Sequence, residues 1–415
     1  MSSALRSYVL VTLAYWAFTL TDGALRMLVL LHFHALGYTP VELAFLFLFY
    51  ELFGVVTNLL GGWIAARVGL RVTLFSGLAL QIVALAMLSF VVPGWSKPLS
   101  VAYVMGAQAL SGVAKDLTKT SAKSSIKVLV PSDARSSLFE WVALLTGSKN
   151  ALKGAGFFLG GLLLSLGGFR GALWGMAGAL ALVSFACVAS LPAEMGKAKS
   201  KPKLGALLSK SRSINVLSAA RFFLFGARDI WFVVGVPVFL TARLGWSFTE
   251  VGTFLALWVV GYGAAQSLAP SIVRRWTGGH APQGKSALVL AVILAAVSAG
   301  MAIGIATGVS PAATLVGGLA VFGVVFAVSS SVHSYLILAY SEGDEVAVNV
   351  GFYYMANAGG RLVGTLLSGV LFQIAGVTGC LFGTVAFAVI TAGISTLLPE
   401  TDAVLPEGAR VEGGD

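Results

Sequence analysis

The stretch LGYTPVE at residues 36–42 returns 208 positions later as LGWSFTE at residues 244–250. Both copies join a glycine to a Ser or Thr that stands three residues before a Glu. The same offset aligns Lys153 with Arg361, and it pairs Gly156 with Gly364, Gly161 with Gly369 and Gly168 with Gly376. An offset of half the chain predicts two parallel structural repeats.

The composition predicts a helical membrane protein. Of 415 residues, 57% are hydrophobic and 11% are charged, and the mean hydropathy is +0.90. Soluble chains carry about 25% charged residues, so a soluble enzyme, a disordered chain and a disulfide-rich secreted domain are all excluded. Cys187 and Cys380 both lie in apolar segments. They form no metal-ligand pattern, and we predict no metal, no cofactor and no catalytic residue.

Glycines, prolines and charges divide the chain into twelve apolar segments, each near the roughly 20 residues needed to cross a bilayer. We predict an all-α integral membrane protein with twelve transmembrane helices in two pseudo-symmetric six-helix bundles. The predicted domains are residues 1–191, a basic linker at 192–213, residues 214–399 and a tail at 400–415. The predicted spans are 7–33, 41–66, 72–92, 101–128, 137–165, 169–191, 214–241, 248–273, 286–308, 311–338, 346–373 and 376–398.

The distribution of Lys and Arg predicts the orientation. With a cytoplasmic N-terminus, fifteen of the 27 cations fall in inner segments and three in outer loops. This bias follows the positive-inside rule and predicts a multi-pass protein of the cell inner membrane with both termini in the cytoplasm. It also explains the net charge of +10 without nucleic acid as a partner.

The remaining nine cations lie inside the predicted spans, where a charge facing lipid costs on the order of 3 kcal/mol. They must face one another or a cavity. Because these nine cations exceed the four acids that lie away from the span ends, mutual pairing leaves a positive excess, which favours a cavity that binds an anion. The cations are Arg26, Lys115, Lys119, Lys123, Lys149, Lys153, Arg221, Arg228 and Arg361, and the acids are Asp22, Glu51, Asp116 and Asp229.

Helical spacing places several of these groups on shared faces. Lys149 and Lys153 lie one turn apart and would repel without an anion. Two pairs, Asp22 with Arg26 and Arg228 with Asp229, have an alternative role as structural ion pairs. The predicted substrate-binding residues are Arg26, Lys115, Lys119, Lys149, Lys153, Arg221, Arg228, Tyr353, Asn357 and Arg361, and the predicted coupling or ion-pair residues are Asp22, Glu51, Asp116 and Asp229.

Guanidinium groups contact phosphate or carboxylate at two points, whereas Lys acts as a point charge. A site that mixes both suits a small organic substrate with more than one anionic group. Two half-chain repeats place such a site between them at mid-membrane.

The twelve spans, the repeat and the basic linker resemble the major facilitator superfamily. Residues 61–71, GGWIAARVGLR, are similar to its motif between the second and third helices, with Ala66 at the usual Asp position. Residues 156–161, GFFLGG, resemble its helix-five antiporter motif, with Phe157 where Pro is expected. The resemblance implies transport by alternating access.

The charged stretches resemble one branch of that superfamily, the organoarsenical efflux permeases, which export 1-arseno-3-phosphoglycerate. The resemblance implies arsenate resistance and functional coupling to a glyceraldehyde-3-phosphate dehydrogenase, which would make the unstable ester. It is carried by residues 15–34, 47–63, 114–127, 145–161, 218–234 and 353–364.

Two alternatives stay open at this point. The protein could exchange organophosphates for phosphate, or it could be a membrane-embedded enzyme acting on a phosphorylated lipid. The sequence shows no metal-ligand cluster and no Ser/His/Asp arrangement, and this favours a carrier over an enzyme.

Overall fold

The computed structural model describes residues 3–92, 94–129, 135–191, 211–278, 280–341 and 346–399. This part of the chain is helical, and it contains no β-strand. The helices are α1 (Ser3–Ala35), α2 (Pro40–Leu46), α3 (Leu48–Val68), α4 (Leu70–Ser89), α5 (Lys97–Leu129), α6 (Arg135–Ser190), α7 (Arg212–Phe232), α8 (Gly235–Ala242), α9 (Phe248–Trp276), α10 (Gly284–Ala306), α11 (Pro311–Ala339) and α12 (Val346–Ser395).

The helix boundaries follow the predicted spans with two kinds of difference. Helices α2 and α3 together fill the predicted second span, and α7 and α8 fill the seventh. Conversely, α6 and α12 each cover two predicted spans, with the backbone leaving helical geometry at Gly168 and at Gly376.

Among the described residues, eight helical stretches are long and apolar enough to cross a membrane. Two of these, Ser148–Ser190 and Asn349–Ser395, contain 43 and 47 residues. At about 1.5 Å per residue each is more than twice as long as a roughly 30 Å hydrocarbon core, so each has the length for two crossings. The number of twelve spans and the bounds of the four predicted segments stay predictions.

The internal repeat is visible in the backbone. Thr39 and Glu42 form a capping box at the start of α2, and Ser247 and Glu250 form the equivalent box at the start of α9. The glycines before them, Gly37 and Gly245, have φ values of 78° and 70°.

The two helix breaks repeat in the same way. Gly168 and Gly376 have φ values of 64° and 62°, a region in which glycine has no steric cost. The 208-residue offset therefore reproduces the turns and breaks of the first half in the second half.

The two halves meet along a seam between α6 and α9. Asn150 donates a hydrogen bond to Gln266 at 3.2 Å near one end, and the hydroxyls of Ser165 and Thr249 lie 3.3 Å apart near the other. Between these ends, glycines bring the backbones of α6 and α9 close together. A Cβ atom added to any of these glycines would contact the backbone of the other helix. These contacts are Gly154 with Ala256, Gly161 with Phe248, and Gly252 with Phe157.

A second contact between the halves joins α12 to α2 and α3. Gln373 accepts a hydrogen bond from the backbone N–H of Val41 at 3.4 Å, and Gly369 packs against the backbone of Pro40. The largest hydrophobic cluster draws residues from both halves, whereas two smaller clusters each belong to one half.

Some predicted features lie outside the described residues. They are most of the basic linker (192–210), the tail (400–415), and the side chains of Arg67 and Lys123.

Candidate functional site

Glu51, on α3, lies at the centre of the charged residues. Its carboxylate is buried, with 1% of the side chain exposed, and its Oε1 atom accepts two hydrogen bonds. Arg361 of α12 donates through Nη2 at 2.6 Å, and Arg26 of α1 donates through Nη1 at 3.2 Å. The contact between Glu51 and Arg361 joins the two halves of the molecule.

Asp229, on α7, holds the other edge of the same guanidinium. Its Oδ2 accepts from Nε of Arg361 at 3.1 Å, and its Oδ1 accepts from Nε of Arg228 at 2.6 Å. The five side chains form a continuous series, Arg26–Glu51–Arg361–Asp229–Arg228, which we term the central ion chain. It carries three cations and two carboxylates, so its formal charge is +1.

Two lysines surround the central ion chain. Besides Arg361 and Arg26, the carboxylate of Glu51 interacts electrostatically with Lys115 of α5 and Lys153 of α6. Lys115 places Nζ 4.1 Å from the centre of the Tyr50 ring, and Lys153 places Nζ 5.6 Å from the centre of the Phe157 ring. One carboxylate thus lies among four cations.

Part of the positive charge has no carboxylate partner. The described residues pair Arg26, Lys119, Arg228 and Arg361 with Glu51, Asp116 and Asp229. Within the same part of the chain, Lys115, Lys153 and Arg221 have no carboxylate oxygen inside 4.0 Å. Lys149 lies half-buried one turn before Lys153 on α6.

Buried hydrogen-bonding atoms also remain open in this region. Nη2 of Arg26, Oε2 of Glu51 and Oδ1 of Asn357 have no partner among the described residues. Asn357 lies one turn before Arg361 on α12. Because buried polar atoms in proteins are nearly always hydrogen-bonded, these atoms mark a place where a polar ligand or water would be bound.

Asp22 and Arg26, four residues apart on α1, bind neighbouring residues of α3. The Tyr50 hydroxyl donates to Asp22 at 2.8 Å, while Arg26 donates to Glu51. Sequence analysis did not select Tyr50, because aromatic residues in membrane helices mostly pack or anchor. The feature of the sequence that could have identified Tyr50 is its position next to Glu51, an acid inside an apolar segment.

Asp116 and Lys119 form a separate cluster within the first half. Asp116 accepts from Lys119 at 2.7 Å, from Thr57 at 2.9 Å and from Asn58 at 3.2 Å, and Lys119 also donates to Asn58 at 2.8 Å. Every one of these partners belongs to α3 or α5, so the contacts have the character of a helix-joining network.

Arg221 is enclosed on α7 within the second half. It donates to the backbone carbonyl of Ser330 at 3.1 Å, and its guanidinium lies 3.9 Å from the Phe225 ring centre and 4.9 Å from that of Tyr353. Tyr353 is therefore placed against Arg221. His333 is fully buried on α11, and its ring nitrogens have no partner among the described residues.

The comparison with protein families decides the class of the protein. Residues 9–279, well over half of the sequence, match the Major Facilitator Superfamily. The chain belongs to the Major Facilitator Superfamily. It is therefore a membrane transporter and not an enzyme. A search of curated proteins gives no match.

Solved structures of this superfamily share the fold at low identity. A bacterial homologue of the iron transporter ferroportin, in an inward-facing state, superposes with a TM-score of 0.70 and 16% identity over 95% of this chain and 98% of that one. A D-xylose–proton symporter gives 0.70 and 14%, over 97% and 100%. The nucleoside transporter NupG gives 0.69 and 16%, over 96% and 98%. The superfamily assignment and the all-helical fold predicted from the sequence are confirmed.

Proposed function

We propose that this transporter exports a small organic anion with at least two negative groups, and that the substrate is 1-arseno-3-phosphoglycerate. The observation that carries the proposal is the cationic cluster around Glu51, in which Lys115 and Lys153 add positive charge without a carboxylate oxygen inside 4.0 Å among the described residues. A bound anion would complete the cluster, because buried charges are stable only when they are paired.

The cluster draws on both halves of the molecule. Arg26, Lys115 and Lys153 belong to the first half, and Arg228 and Arg361 belong to the second. A ligand held between the halves can favour one arrangement of the carrier over another only through contacts that differ between the arrangements. Cations on both sides supply such contacts for a substrate with two anionic ends.

The chemistry of the cluster supports a phosphorylated or arsenylated acid over a lipophilic drug. Arginine forks fit tetrahedral oxyanions at two points, and lysine ammonium groups add charge without that geometry. The resemblance of the charged stretches to organoarsenical efflux permeases selects the arseno-ester among substrates of this kind.

The direction of transport follows from the membrane potential if the chain lies in a membrane whose cytoplasmic side is negative. An inside-negative potential is worth about 2.3 kcal/mol per charge for each 100 mV. A substrate with two or more uncompensated negative charges would be driven outward by that potential. The dehydrogenase that makes the ester would supply substrate at the inner face.

The decisive experiment is uptake into inside-out vesicles of a bacterium that expresses the chain. The ester is generated outside the vesicles from glyceraldehyde 3-phosphate, NAD and radiolabelled arsenate by a glyceraldehyde-3-phosphate dehydrogenase. We expect dehydrogenase-dependent accumulation of arsenic, and we expect Lys149→Ala, Lys153→Ala and Arg361→Ala to abolish it. The exposed Arg243→Ala removes a cation outside the cluster and serves as the control.

Two outcomes would contradict the proposal. Uptake that persists in Lys149→Ala or Arg361→Ala would remove these residues from the site. Accumulation of labelled glycerol 3-phosphate or inorganic phosphate in preference to the arseno-ester would establish the organophosphate/phosphate antiporter instead. Survival of an arsenate-sensitive strain, with and without the dehydrogenase, tests the same proposal in cells.

A further inference from the structure

The central ion chain divides into two parts that belong to different halves. Arg26 and Glu51 form a pair inside the first half, and Arg228, Asp229 and Arg361 form a triad inside the second. Only the bond from Nη2 of Arg361 to Oε1 of Glu51, at 2.6 Å, connects the two parts. Any ligand that enters between the halves and contacts this edge of Arg361 must displace Glu51.

Glu51 occupies the position that an anionic substrate would need. Its single negative charge lies among Arg26, Lys115, Lys153 and Arg361, which are predicted substrate-binding cations from both halves. One oxygen makes both ion pairs, while the other, Oε2, has no partner among the described residues. The carboxylate is held by charge and not by a full set of hydrogen bonds, so a ligand with more anionic oxygens can outcompete it.

The other buried acids cannot take this role. Asp229 stays with Arg361 in the same half, and Asp116 is enclosed by Thr57, Asn58 and Lys119. Asp22 is half-buried and accepts a hydrogen bond from Tyr50 of the same half. Glu51 is the described acid that pairs across the halves.

We infer that Glu51 is an internal counter-anion, which neutralises Arg361 in the substrate-free carrier and thereby allows the empty carrier to change orientation. The inference rests on the proposed function. Without Glu51, the single carboxylate of Asp229 would face both Arg228 and Arg361. Leaving one buried arginine charge unbalanced is strongly unfavourable, so a carrier without such a counter-anion would reorient only with substrate bound and would perform exchange alone. With Glu51 in place, the carrier can return empty, and net export becomes possible.

The experiment compares net uptake with exchange in proteoliposomes that contain the purified full-length protein. The arseno-ester is generated outside from radiolabelled arsenate by the dehydrogenase. In the exchange condition, the liposomes also enclose the unlabelled dehydrogenase mixture; in the net condition, they enclose buffer. The ratio of the two initial rates measures how readily the empty carrier returns.

For the natural sequence we expect both modes. For Glu51→Gln we expect exchange to continue while net uptake falls by at least about tenfold, which corresponds to a barrier raised by about 1.4 kcal/mol. We also expect a lower KM for exchange, because the internal competitor is gone. Retained exchange shows at the same time that the variant is folded. Glu250→Gln, a change in an exposed carboxylate outside the central ion chain, should leave the ratio of the two rates unchanged.

Three outcomes would overturn the inference. The first is net uptake in Glu51→Gln at the natural rate. The second is loss of both modes in a Glu51→Gln protein that remains monodisperse and thermally stable. The third is exchange without net uptake in the natural protein, and observing it requires no variant. If the natural protein moves the ester in neither mode, the proposed function itself fails, and this result differs from all three.

Discussion

The two halves agree in their turns and differ in their buried charges. The capping boxes at Thr39 and Ser247 and the breaks at Gly168 and Gly376 are equivalent under the 208-residue offset. Under the same offset, Glu51 falls on Val259 and Asp229 falls on Thr21. The backbone geometry of these turns therefore recurs in both halves, whereas Glu51 and Asp229 each occur in one half alone.

The one buried charge that both halves keep is the pair Lys153 and Arg361. The two residues differ in what they contact: Arg361 bridges Glu51 and Asp229, while Lys153 lies over the Phe157 ring without a carboxylate inside 4.0 Å among the described residues. A pseudo-symmetric fold thus carries an asymmetric site. The following substitutions are made at equivalent positions of the two halves.

The largest effect is expected from replacing each of the two residues by the residue type of the other, as in Arg361→Lys and Lys153→Arg. Lys cannot reproduce the two separate edges that Arg361 presents to Glu51 and Asp229, and breaking a buried ion pair costs on the order of 3–5 kcal/mol. We therefore expect Arg361→Lys to reduce vesicle uptake of the arseno-ester by at least about 100-fold. Lys153→Arg keeps a single charge at its position and should stay within about tenfold of the natural rate. Equal losses in both variants would show that the asymmetry of the site is not functional.

A smaller and symmetric effect is expected from the repeated glycines Gly156 and Gly364. A Cβ at these positions would lie 2.6 Å from the carbonyl oxygen of Leu20 and 2.7 Å from that of Gly226. Overpacking of this kind costs about 1–3 kcal/mol, so Gly156→Ala and Gly364→Ala should lower the thermal unfolding temperature in detergent by similar amounts. Gly175→Ala, where a Cβ meets nothing within 4 Å, is the control. A shift confined to one of the two positions would mean that the halves do not pack equivalently.

The smallest effect is expected at the helix caps. The hydroxyls of Thr39 and Ser247 accept from the backbone N–H groups of Glu42 and Glu250, each at 3.3 Å. Removing an N-cap hydroxyl costs about 1 kcal/mol, so Thr39→Ala and Ser247→Ala should each reduce the free energy of unfolding by that amount. Thr39→Ser retains the cap and should not. No loss in either Ala variant would show that these caps do not stabilise their helices.

The sequence was sufficient for the fold because its signals are local or periodic. The long apolar segments and the glycine positions can be recognised directly along the chain, and the internal repeat shows several of the glycines twice. The resulting expectation of an all-helical membrane transporter with internal repeats is confirmed by the structure and by the family match.

The pairing of the charges was not accessible in this way. Glu51 and Arg361 are separated by 310 positions, and no local pattern indicates that they meet. Asp22 and Arg26 share a helix face, which suggested a mutual pair, but α3 offers Tyr50 and Glu51 as closer partners. Sequence analysis could identify the ionisable residues whose burial in the membrane is energetically unfavourable. The partner of each residue depends on how the helices pack.

The seam between α6 and α9 has a consequence for motion. Three glycines bring its backbones together along its length, and its two ends are marked by one neutral amide contact and one hydroxyl contact. A neutral hydrogen bond contributes only about 0.5–1.5 kcal/mol. Breaking the polar contact at either end of this seam therefore requires little work, and the close glycine contacts between the ends provide a pivot about which α6 and α9 can tilt.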